Sequence, residues 1–298
     1  MVSHVAPSTT TTTRRRRRPE EEAEEALHVA CCRGDYATAH ALVNCGVDVN
    51  NASDEEGQTP LMETAAHNHA DLARLLLEFG LDILRFVDRV TSDESSAFFV
   101  VGRSGYVDPS ELKETMRADV DQTDYYGRSA LWIAARNGFV DVARLCLDHG
   151  ACVDLVSESG RSPLFIACRL GHLDVACLLL SCGADANLRT KFGAAPLDAA
   201  CQVQGDLAVG LAATLVDVGG ADLDFSGTGC TPLFTACSLG HVTLAKLLLD
   251  RGADVDIKAK NGFTCLDVAI RSRHDDSEPT KLRRLLLESL LLEHGAKL

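Results

Sequence analysis

Aromatic residues are scarce, 5% of 298 against 46% hydrophobic residues in all, so a core must be built in thin layers of Ala, Leu and Val. There is no apolar run of about 18 residues, which excludes a membrane-spanning helix, and no signal-peptide core. The twelve cysteines include no Cys-x-x-Cys pair and no Cys/His spacing of the kind that holds zinc. Cys31, Cys168 and Cys237 stand at small-residue positions of helical patterns and read as buried free thiols in a reducing compartment. No Ser or Cys lies in a nucleophile elbow, and Gly102-Arg-Ser-Gly105 lacks the Lys-Ser/Thr ending of a phosphate loop. Gly105-Tyr-Val-Asp108 with Glu111 imitates half of a calcium loop, but Val100, Gly102 and Ser104 at the earlier ligand positions exclude that metal. No enzyme activity, cofactor or metal is expected. A formal net charge of −14 argues against general nucleic-acid binding, which needs many phosphate-neutralising cations.

What is present is one unit written repeatedly. Gly127-Arg-Ser-Ala-Leu131 is followed by Gly138, by Val142-Ala-Arg-Leu145 and by Gly150-Ala-Cys-Val-Asp154. Gly160-Arg-Ser-Pro-Leu164, Gly171-His172, Val175 to Leu180 and Gly183-Ala-Asp185-Ala-Asn187 repeat it 33 residues later. Each unit predicts a Gly turn, a short helix opened by a Ser/Thr-Pro pair, a loop, a second Leu-rich helix and a Gly-Ala-Asp exit. Pro suits the first helical turn because its missing N–H would be unpaired there anyway. Helix pairs this short bury their apolar faces only by stacking on neighbours, so the expected fold is an all-α, one-dimensional solenoid with short β-hairpin turns.

The period and the Thr-Pro-Leu signature resemble the ankyrin repeat family. On that register, eight units are expected after a Thr/Arg-rich tail of residues 1–19, which reads as disordered. They lie near 20–53, 54–90, 91–123, 124–156, 157–189, 190–225, 226–258 and 259–298. The third is degenerate: Ser96-Ala-Phe98-Phe99 aligns with Ser129-Ala-Leu131-Trp132, Gly105 with Gly138 and Ala118 with Ala151. Arg14 to Arg18 resembles a basic nuclear-localisation cluster, so the expected location is cytoplasmic, or nuclear through that run.

The resemblance implies a protein-interaction module whose partner lies on a concave face made of hairpin tips and first helices. Three ladders map there. Arg103, Arg136 and Arg169 recur 33 residues apart, and Arg128 and Arg161 follow the hairpin glycines, beside Tyr125, Tyr126, Lys191 and Phe192 at the tips. Phe99, Trp132, Phe165 and Phe234 form the third; inter-repeat packing is the plainer reading for them, with Trp132 and Phe165 retained as candidate contacts. With Arg and Tyr aligned on an acidic chain, a partner with an acidic segment is expected. The alternatives are an adaptor presenting its cargo to a ubiquitin ligase or phosphatase, and a nuclear inhibitor or scaffold that masks its partner. The leucines from Leu282 to Leu292 are too many for one buried stripe, and they call for either a covering loop or a contact with another chain, oligomer or partner.

Overall fold

A computed structural model describes residues 18–53, 56–78, 118–225, 227, 229–271 and 278–297. Helices alternate in pairs: α1 (Pro19–Arg33) with α2 (Tyr36–Asn44), and α3 (Pro60–His67) with α4 (70–78). Next come α5 (Ala130–Asn137) with α6 (Val140–Asp148), and α7 (Pro163–Leu170) with α8 (Leu173–Ser181). The array ends with α9 (Pro196–Ala200) and α10 (Asp206–Asp217), α11 (Pro232–Leu239) and α12 (Val242–Asp250), then α13 (Cys265–Arg271) and α14 (Glu278–Glu293). No strand occurs among the described residues.

The first helix of a pair starts where the repeated Ser/Thr-Pro signature puts it. The side chains of Thr59, Ser129, Ser162 and Thr231 accept the N–H three residues on, from Met62, Trp132, Phe165 and Phe234. That bond satisfies one of the orphan donors of a helix N-terminus. Termination is equally local. Gly138 ends α5 at φ 76°, and a Cβ there would meet the His172 ring at 2.6 Å, so the position requires glycine twice over. His172 uses that space to donate from Nε2 to the Arg136 carbonyl at 3.0 Å, and His69 does the same to Cys32 at 3.2 Å. Each bond ties the loop of one layer to the end of the preceding first helix.

Stacking buries a column of leucines: Leu27, Leu61, Leu131, Leu164, Leu197, Leu233 and Leu266 are almost wholly inaccessible. Each contributes about 1.5–3 kcal/mol by leaving water. The Asp exits bind the layers together. Asp121 accepts from Cys152 N, Asp154 from Asp185 N, Asn187 from Asp222 N and Asp224 from Asp254 N. At the tips, Glu158 N donates to Tyr126 O and Lys191 N to Ser159 O.

The expected third unit departs from this plan. Most of 91–123 lies outside the described residues, but α3 packs directly on α5, so no layer stands between the second unit and the one at 124–156. Tyr125 N donates to Glu56 O as Glu158 N donates to Tyr126 O one layer later. Asp119 N reaches the Asn50 side chain at 2.6 Å, in the same pattern as Cys152 on Asp121. Ala118 N bonds Leu76 O, as Ala151 N bonds Cys146 O, which gives Ala118 the register position of residue 81. The described stack therefore has seven layers, and Ala118-Asp-Val-Asp121 is the exit of the second unit, not of a third. The alignment of 96–118 with 129–151 misleads because a register inferred from spacing carries no information about which layers touch.

Candidate functional site

The expected contact residues divide by what the fold does with them. Trp132 and Phe165 are 6% and 5% exposed and fill the layer between units, and the Trp132 indole N–H donates to the Arg161 carbonyl at 3.0 Å. They are core residues, which corrects their inclusion among the contacts; Phe234 is buried in the same way. Arg128 also turns inward. Its Nε donates to Asp124 at 2.6 Å, its terminal nitrogen lies 3.1 Å from Glu56, and its guanidinium lies 4.7 Å from the Tyr126 ring centre. It staples adjacent tips instead of offering a charge to a partner. Arg103 and Phe99 lie outside the described residues.

A surface remains. Arg136 and Arg169 are exposed near the ends of α5 and α7, one layer apart, and neighbouring helices pack at about 8–10 Å. Among the described residues no ion pair involves Arg136, Arg161, Arg169 or Lys191; Arg161 is half-buried. The adjacent tips carry Phe192, Tyr125 and Tyr126 at 76%, 63% and 53% exposure. Sequence reasoning missed Leu170 and Leu239, exposed one position past the arginine register and just before the helix-ending glycines. Their position in the register was the available signal.

At the far end, α14 buries Leu287 and Leu291 and leaves Leu282, Leu285, Leu286 and Leu292 exposed. Of the inserted loop around Arg273 to Thr280, the covering loop of the two alternatives, residues 273–277 lie outside the described residues.

None of the twelve cysteines forms a disulfide, and burial pushes the Cys31 and Cys146 thiols up to about 12, far from the thiolate form. Asp198, pushed up to about 6 by burial, takes the register position held by Trp132 and Phe165 and bonds only Ala195 N, leaving its other oxygen without a partner. One cluster was invisible to sequence spacing: Cys32, Glu63 and His67 bring donor atoms within 4.8 Å of one another. No described helix is long and apolar enough to cross a membrane.

A family model described as ankyrin repeats (3 copies) matches residues 9–87, 103–190 and 192–296.

Proposed function

Because the chain belongs to the ankyrin repeat family, whose members generally mediate protein–protein interaction and are typically non-enzymatic, we propose that it binds a partner's acidic segment on its tip-and-first-helix face. The observation that carries this is the pair Arg136 and Arg169: exposed, one layer apart, outside every described ion pair, on a chain of net charge −14. Some other arginines of the array are paired within it. Arg128 is held by Asp124 and Glu56, and Arg251 by Asp217 through two bonds. Guanidinium groups left open in a row suit carboxylates or phosphates, which they bind in bidentate fashion. Arg161 and Lys191 flank the row at the tips, and Tyr125, Tyr126 and Phe192 supply the apolar anchors that interface energetics favour.

The test is capture of partners by the parent chain and by the double variant Arg136→Glu/Arg169→Glu, after matched thermal melts. At least a tenfold loss of one set of partners, with parent binding that weakens as salt rises, is expected. Identical capture at all salt concentrations would mean that the arginines are a solvated face.

A further inference from the structure

We propose that Cys32, Glu63 and His67 form a zinc-binding site that clips the first layer of the array to the second. The residues come from two helices packed side by side, Cys32 near the end of α1 and Glu63 and His67 one turn apart on α3. The His67 ring is already set for a metal. Its Nδ1 faces the Glu63 carbonyl at 3.0 Å, and because a carbonyl only accepts, Nδ1 carries the proton. The Nε2 lone pair is left to face the Cys32 sulfur at 3.7 Å. Tetrahedral zinc, with bonds of about 2.3 Å to sulfur and 2.0–2.1 Å to nitrogen, holds those two atoms about 3.6 Å apart. The observed separation needs almost no adjustment.

The third donor is the half-buried Glu63 carboxylate, whose Oε2 lies 3.9 Å from His67 Nδ1, in a cluster whose donor atoms all lie within 4.8 Å of one another. His69 completes the setting: its ring stacks on His67 with centres 6.1 Å apart and planes 12° apart, and its Nε2 donates to the Cys32 carbonyl. It therefore steadies two of the three ligand residues without being one, the role outer partners play around metal-bound histidines. A thiolate, an imidazole and a carboxylate suit zinc, whereas magnesium and calcium require an all-oxygen shell. Cys32 and His67 are exposed, so the fourth coordination position opens to water. Cys32 also occupies in α1 the position that Arg136 and Arg169 hold in their helices, which sets the zinc at one end of the same face, although the inference does not depend on the partner proposed above.

The experiment is zinc titration of the full chain, freed of metal and kept reduced with a phosphine, against a chromophoric chelator, with cobalt substitution as the spectroscopic readout. The substitutions are ones the array already tolerates in register: Cys32→Ala, as at Ala66, and His67→Asn, as at Asn137. One zinc per chain is expected, bound at least tenfold more weakly by either variant, with a sulfur-to-cobalt charge-transfer band that disappears in Cys32→Ala. Exposed Cys45, Cys152, Cys177 and Cys182 are the competing ligands, so a chain with these four changed to Ser serves as control. Retention of the site by that control supports the assignment. Unchanged affinity in Cys32→Ala and His67→Asn, or loss of the metal in the four-serine control, overturns it, since all these changes are on the surface and matched melts exclude unfolding.

Discussion

Removing residues 81–117 should leave a folded and more regular protein. The join would read Leu76-Leu77-Glu78-Phe79-Gly80 followed by Ala118-Asp-Val-Asp121, the Leu-rich helix and Gly-Ala-Asp exit of the neighbouring units. The distance from Gly57 to Gly127 is 70 residues, and taking out 37 leaves 33, the period of the array. Among the described residues, the bonds that seat the second layer lie outside the cut: Tyr125 to Glu56, Ala118 to Leu76 and Asp119 to Asn50. Shortening the closed loop from about 37 residues to a tight turn lowers its entropic cost by about 2–3 kcal/mol for an ideal chain. The shortened protein should therefore match or exceed the parent in stability, by up to that amount. Far-UV circular dichroism and urea unfolding, run side by side, measure this. If 81–117 instead supplied a layer between α3 and α5, its removal would cost inter-layer contacts on both sides. A loss of helical signal from the flanking units, or a drop of several kcal/mol, would refute the reasoning.

Three further outcomes are expected. Asp198 has its folded pKa raised to about 6 by burial, so its contribution to stability is fully present below the unfolded value of about 3.9 and is lost as pH rises toward 6. Asp198→Asn keeps the acceptor for Ala195 N and removes the titration. Relative to the parent it should gain on the order of 2 kcal/mol between pH 3.5 and pH 7, read from urea midpoints; parallel pH profiles would contradict this. Trp132→Ala empties an inter-layer site and takes the indole donor from the Arg161 carbonyl, which keeps its bond from Ser157 N, so a loss of about 3–5 kcal/mol in chemical denaturation is expected, chiefly from the cavity, against under 0.5 kcal/mol for the exposed Phe192→Ala. Ser162→Ala removes the α7 cap and should cost about 1 kcal/mol in the same assay.

Much of the architecture was legible in the sequence because it is local. A Ser/Thr before Pro-Leu caps a helix in any context, Gly138 and Gly171 stop one because only glycine takes their backbone angle without cost, and the 33-residue spacing fixes what stacks on what wherever it is unbroken. The burial of Trp132 and Phe165 was also within reach, as the plainer of two readings for an apolar ladder. Beyond that reach lay everything that depends on which distant residues touch. Local pattern gave 96–118 a plausible register, but only packing shows α3 against α5 and Ala118 completing the turn begun by α4. Arg128 and Arg136 look alike in sequence, and it is Glu56, 72 positions away, that helps occupy one and leaves the other open. Cys32 and His67, 35 residues apart with no motif between them, become possible ligands of one ion only because two helices lie side by side and point them at the same space. Backbone preference and capping act within a few residues and are written in the chain; charge pairing and metal geometry act through space and are decided by the fold.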